Sequence, residues 1–103
     1  MRTILISGAS SGIGLNIAHR ELKNGNRISI GIRDLESVKG SIIDPNNWPK
    51  EKILINKYDA LDNISAKDWV ENTMSKFGGF DTLINCSGAV SYTHLTLPTI
   101  YSV

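Results

Sequence analysis

Cysteine is almost absent from this sequence. Cys86 stands alone among 103 residues, so no internal disulfide can form, and a cytoplasmic location is the expectation. Neither sign of charge is in excess. The 11 Lys and Arg nearly balance the 10 Asp and Glu, no basic run stands out, and nucleic acid is not an expected partner. Long hydrophobic runs are missing too: no stretch approaches the roughly 20 residues that cross a bilayer. The amino terminus has no apolar segment or small-residue cleavage site of a signal peptide, so no membrane partner is expected. Histidine is scarce. His19 lies among polar neighbours and reads as a solvated group, His94 has no identifiable partner, and no metal site is expected.

Hydrophobic residues make up 41% of the chain and charged residues 20%, the balance of one small globular domain with a modest core. The pattern alternates strand and helix. Residues 2–7 (RTILIS), 27–32 (RISIGI), 53–58 (ILINKY) and 80–86 (FDTLINC) read as buried strands. Ile13, Ile17, Ala18 and Leu22 recur at helical spacing in a first helix that Gly25 ends. Residues 34–39 suit a short helix ended by Gly40, and residues 41–50, with Pro45 and Pro49, are a loop. Trp69, Val70, Met74 and Phe77 stripe a longer helix, with Ser65 and Asp68 as its capping box and Gly78 and Gly79 as its stop. Strands separated by crossovers of this length form a parallel sheet. The predicted fold is a Rossmann-like, doubly wound α/β sheet, incomplete, in the order 3-2-1-4, whose ligands bind beyond the carboxyl ends of the strands.

That crevice contains Gly8-Ala9-Ser10-Ser11-Gly12-Ile13-Gly14, a GxxxGxG turn from the first strand into the first helix. Glycine admits positive φ and lets a ligand lie against the main chain. The helix behind the turn aims free N–H groups and the positive end of its dipole at the same place. A pyrophosphate fits such a site, and Ser10 and Ser11 add hydroxyl donors. The plainer alternative is a Gly-rich turn that binds nothing. A P-loop is excluded, because Leu15 and Asn16 follow Gly14 where Lys and Ser or Thr are required.

"SGASSGIG" resembles the cofactor turn TGxxxGIG of the short-chain dehydrogenase/reductases, with Ser7 in place of Thr. "NCSG", Asn85 to Gly88, resembles the family's NNAG after the fourth strand, with Cys86 for the second Asn and Ser87 for Ala. Asp59 in "YDALD" matches the Asp that contacts adenine in the family. The resemblance covers residues 1–90 and implies the amino-terminal part of an NAD(P)-binding Rossmann domain. The cofactor-binding residues it implies are Gly8, Ser10, Ser11, Gly12, Ile13, Gly14, Asp59, Asn85, Ser87 and Gly88. Asp59 also reads as a turn residue, Asn85 as a strand end, and Cys86 as a small buried side chain rather than a nucleophile.

Relatives that use NAD carry an acidic residue about 18 positions after the last glycine, to bind the ribose 2′-OH. Ile32 stands there and cannot do so. Arg33 follows, and a guanidinium suits a 2′-phosphate, so NADP is the expected cofactor, with NAD as the alternative. Asp34 is one place late and suits a helix cap.

The family's catalytic Ser and Tyr-x-x-x-Lys follow NNAG. Tyr92, the nearest candidate, has Thr96 four residues on, and Tyr58 and Tyr101 have no Lys there either. No catalytic residue is carried over. Residues 91–103, rich in Thr and without a helical face, are similar to adapter-derived endings of truncated reading frames and are expected to be non-native, the alternative being a real β-rich loop. The fourth strand is then expected to leave a bare, apolar sheet edge. The implied full-length protein is an oxidoreductase, a homo-oligomer acting on a small alcohol or carbonyl compound. The alternative is a non-catalytic dinucleotide-binding sensor or interaction module.

Overall fold

Among the described residues, five strands lie side by side, all parallel, in the order β3-β2-β1-β4-β5. The computed structural model describes residues 1–9, 12–59, 61–86 and 100–102. The elements are β1 (Thr3–Ser7), α1 (Gly12–Lys23), β2 (Arg27–Ile32), β3 (Ile53–Lys57), α2 (Asn63–Phe77), β4 (Thr82–Asn85) and β5 (Ile100–Ser102). The expected 3-2-1-4 order stands, with one strand added. β5 pairs with the β4 edge that the sequence led us to expect bare, Leu83 opposite Ile100 and Asn85 opposite Ser102. An open strand edge presents a row of N–H and C=O groups, and β5 pairs with them. The expected domain division after residue 90 falls outside the described residues.

Central β1 is buried along its whole length. Its side chains alternate between two cores, as strand geometry requires. Ile4 and Ile6 join Ala18 and Leu22 of α1 and Ile28 and Ile30 of β2 on one face. Leu5 joins Leu83, Tyr58 and Trp69 of α2 on the other. Each fully buried Ile or Leu contributes roughly 1.5–3 kcal/mol of apolar transfer. The β2-to-β3 crossover is a 3-10 turn at Leu35–Val38, not a full α-helix, followed by further 3-10 turns at Pro45–Asn47 and Lys50–Lys52. Asp34 caps the first of these by accepting the Glu36 N–H at 3.0 Å. Val38 and Ile43 drop from this crossover into the α1-side core.

Both long helices present faces slightly different from those expected. In α1 the buried positions are Gly14, Ala18 and Leu22, while Ile13 is 59% exposed. Close contact at Gly14 sets the rotation of the helix, and Ile13 lies about 100° round from it. In α2 the buried positions are Trp69, Thr73 and Phe77, while Met74 is 45% exposed. Thr73 takes the place one turn after Trp69 because its hydroxyl has buried partners. His19 is half-buried and packs edge-on against Trp48, ring centroids 5.8 Å apart, instead of being fully solvated.

The start of α2 is also corrected. Asp62, not Ser65, is the N-cap: its carboxylate accepts the N–H groups of Ile64 and Ser65 at 3.0 and 3.4 Å. Ser65 instead accepts the Asp59 N–H at 3.0 Å and donates to the carbonyls of Asp59 and Asp62. The Asp at the cap begins the helix one turn earlier than Ser65 would. At the other end Gly78, at φ 77°, donates its N–H to Met74 O. Asp62→Ala is therefore expected to cost about 1 kcal/mol. Asp68→Ala should stay within about 0.5 kcal/mol of the parent. Urea unfolding followed by circular dichroism compares the two, and an equal loss for Asp68→Ala would restore the Ser65 cap.

Candidate functional site

The carboxyl ends of three strands meet at one point. Ser7 of β1 is in register with Gly31 of β2 and with Asn85 of β4. Each neighbour holds the exit from β1. The Gly8 N–H donates to Gly31 O at 3.0 Å, and the Cys86 N–H donates to Ser7 O at 3.0 Å. Below them the Ser7 hydroxyl donates to Asn85 Oδ1 at 2.9 Å, with both side chains buried. The Ser that replaces Thr in the turn motif thus ties the two motif strands together.

From this anchor the chain turns at Gly8, with φ 74°, and enters α1 at Gly12, with φ 61°. Only glycine takes both values without strain. The helix then packs onto the turn at main-chain distance. A Cβ on Gly14 would lie 2.7 Å from Gly8 O and 3.0 Å from Ala9 Cα, closer than a carbon can approach. Gly12 is the opposite case, since a Cβ there would meet nothing within 4 Å. The free space lies over the first turn of α1, where the leading N–H groups have no acceptor within the helix. That first turn carries no Asp or Glu to compete for them. Open space beside a helix N-terminus with free N–H groups suits an anion of phosphate type, so the described residues fit a pyrophosphate. Ser10, Ser11, Ser87 and Gly88 lie outside the described residues.

The remaining site residues sit along the same sheet edge. Ile32 is buried and apolar. Arg33 follows it, exposed, with no hydrogen bond or ion pair from its guanidinium among the described residues. Asp34 is engaged as the cap of the 3-10 turn. Asp59, two residues beyond β3, is half-buried, and its Oδ1 accepts the Leu61 N–H at 2.9 Å. It is both a turn residue and a carboxylate held at the carboxyl edge. A groove of about 570 Å³, lined in part by Leu35, Lys57, Asp59 and Asn72, opens on the β3 side and does not reach the glycine turn.

Motif reading missed Gly31. A Cβ there would lie 2.9 Å from Tyr58 Cβ and 3.0 Å from the Trp69 ring. A lone glycine inside a strand pattern was the available signal, since it marks a close approach. Cys86 is half-buried, and burial pushes its thiol above the ordinary cysteine range, in keeping with a structural residue.

Two tests follow from this geometry. Gly14→Ala gains about 1 kcal/mol of helix propensity at an ordinary site. Here overpacking against Gly8 O should outweigh that gain and leave a net loss of about 1–3 kcal/mol. A rise in the urea midpoint would contradict the close packing. For Cys86 the raised thiol pKa keeps the protonated, unreactive form through neutral pH. Its reaction with a disulfide reagent at pH 8 should be slower than that of free cysteine, and should gain speed only at higher pH.

Comparison with known proteins agrees with this architecture. The family model described as short chain dehydrogenase matches residues 2–100, past residue 90 where the motif resemblance stops. The agropine synthesis reductase of Rhizobium rhizogenes is 36% identical over 85 residues, covering 82% of this chain and 19% of that protein. Hydroxysteroid dehydrogenase-like protein 2 of Bos taurus is 35% identical over 104 residues, covering 94% of this chain and 25% of that protein. The chain thus spans a quarter or less of the length of these two curated relatives. Among solved structures, a short chain dehydrogenase from Bacillus anthracis superimposes with TM-score 0.75 at 30% identity, over 84% of this chain and 34% of that one. The L-sorbose reductase of Gluconobacter frateurii, complexed with NADPH and L-sorbose, gives TM-score 0.73 at 26% identity, over 92% and 37%. Among the described residues no helix is long and apolar enough to cross a membrane. With a family match over nearly its whole length and a solved short chain dehydrogenase that superimposes at 30% identity, the chain belongs to the short-chain dehydrogenase family.

Proposed function

We propose that this chain is the cofactor-binding half of an NADP-dependent oxidoreductase whose full-length form moves hydride between NADP(H) and an alcohol or carbonyl substrate. The observation that carries the reading is the open space beside Gly12 at the N-terminus of α1, next to the close packing of Gly14 on the Gly8 carbonyl. Gly12, Ile13 and Gly14 would hold the pyrophosphate through main-chain N–H groups, with Gly8, whose own N–H is held by Gly31 O, shaping the turn and Ser10 and Ser11 beside them. Arg33, exposed and without an ion-pair partner among the described residues, would bind the 2′-phosphate by a forked, charge-assisted contact. Asp59 would accept from the adenine amino group, and Asn85, Ser87 and Gly88 would line the approach to the nicotinamide. The nicotinamide ring, when bound, supplies the hydride acceptor or donor. No Tyr in the chain has a Lys four residues on, so the chain alone offers no Tyr–Lys acid of the family type.

The purified chain should bind NADPH in preference to NADH and turn over no carbonyl substrate. Loss of the charge-assisted contact in Arg33→Ala should weaken NADPH by about 1.5–3 kcal/mol and leave NADH little changed. Gly12→Val should abolish both, because a branched side chain would stand in the proposed path of the pyrophosphate and strain a positive φ. Nucleotide fluorescence measures binding, and absorbance loss with a panel of carbonyl compounds measures turnover. Equal affinity for the two nucleotides would overturn the role of Arg33, and turnover by the chain alone would overturn the missing acid.

A further inference from the structure

Trp69 belongs to no motif, yet it occupies the junction between the two strand ends that carry Arg33 and Asp59. Its ring is 1% exposed and lies directly on Gly31, two residues before Arg33, where no side chain could fit. The same indole packs against Tyr58, the residue before Asp59, with ring centroids 4.9 Å apart. Between them the Tyr58 N–H donates to Ile32 O at 2.8 Å, joining β2 and β3 at their last shared rung.

The indole is locked as well as packed. Its Nε1–H donates to Ser29 Oγ at 2.8 Å, and the Thr73 hydroxyl donates to Trp69 O at 2.8 Å. With the Thr73 proton engaged there, the 2.7 Å contact between Ser29 Oγ and Thr73 Oγ1 requires Ser29 to donate. Trp69, Ser29 and Thr73 therefore form a closed ring of buried hydrogen bonds in which each donor has one acceptor. A fully satisfied buried network of this kind fixes one geometry and resists rotation of the side chain.

We propose that Trp69 is a positioning residue for the adenosine end of the cofactor site: wedged between Gly31 and Tyr58, its indole sets the separation of the strand ends bearing Arg33 and Asp59. The identity of the ligand rests on the cofactor reading above. The positioning itself rests on the ring, the missing Cβ and the strand rung. Binding constellations tolerate only small displacements of their supporting shell, so a change at Trp69 should act on the adenosine half of the ligand and spare the glycine turn.

The test uses the full chain in four forms: parent, Trp69→Phe, Gly31→Ala, and Leu22→Ala as a control that destabilises the opposite core. Gly31→Ala displaces the indole without altering it and serves if Trp69→Phe folds poorly. Without ligand, amide hydrogen exchange at Tyr58, which donates to Ile32 O, is read against exchange at Cys86, which donates to Ser7 O. Trp69→Phe should raise that ratio about tenfold, whereas Leu22→Ala should raise both rates together. By calorimetry, 2′,5′-ADP should bind Trp69→Phe about tenfold more weakly than the parent, while inorganic pyrophosphate binds within about twofold. If Trp69→Phe and Gly31→Ala change all four quantities in step with Leu22→Ala, Trp69 is a core residue only and the proposal is overturned. A parent chain that binds no 2′,5′-ADP overturns the cofactor reading instead, and the exchange ratio then decides the positioning on its own.

Discussion

The contact of α1 with the turn before it, made through Gly14 and the carbonyl of Gly8, governs the site. Any Cβ at Gly14 would stand within 2.7 Å of that carbonyl, so helix and turn meet main chain to main chain. That approach fixes the rotation of α1, which buries Ala18 and Leu22 one and two turns on. The helix begins at Gly12, where the first N–H groups have no acceptor within the helix and the space beside the main chain is open. Two glycines in one motif thus do opposite things. One lets protein close up against main chain, and the other leaves open space at the start of the helix.

The turn is only as rigid as the strand ends that hold it. Ser7 and Asn85 share a buried hydrogen bond between β1 and β4, and main-chain bonds from Gly8 to Gly31 and from Cys86 to Ser7 bracket the exit on both sides. On the far side of β2 the bracket is made by side chains instead: Trp69 from α2 lies on Gly31 and is held by Ser29 and Thr73. Ser7 with Asn85, and Trp69 with Ser29 and Thr73, pair buried polar groups near the site, which stabilises one arrangement over its neighbours. The carboxyl edge of the sheet is in this way prepared before any ligand arrives.

The strand order, the turn and the positions of Arg33, Asp59 and Asn85 at one edge were legible in the sequence. Parallel strands read as unbroken apolar runs, and crossovers of this length admit few topologies. The helix faces were less legible. Ile13 and Met74 fit a helical stripe by spacing, but spacing leaves the rotation of a helix undetermined to within about one residue. Asp62 and Ser65 both begin a plausible helix, and the choice between them depended on which side chain the β3 exit needed. Ser65 is occupied with the main chain of Asp59, which leaves the cap to Asp62.

The amino-acid sequence by itself determined a parallel α/β sheet with a glycine-rich strand-to-helix turn at its carboxyl edge, because glycine placement and apolar runs act locally on the backbone. Tertiary structure alone decided which residues support that edge. Ser29, Gly31, Trp69 and Thr73 come from β2 and α2, separated by up to 44 residues, and nothing in their local patterns links them. The pairing of β5 with β4 was likewise decided by the unsatisfied backbone of a strand edge, which no local pattern in residues 100–102 records.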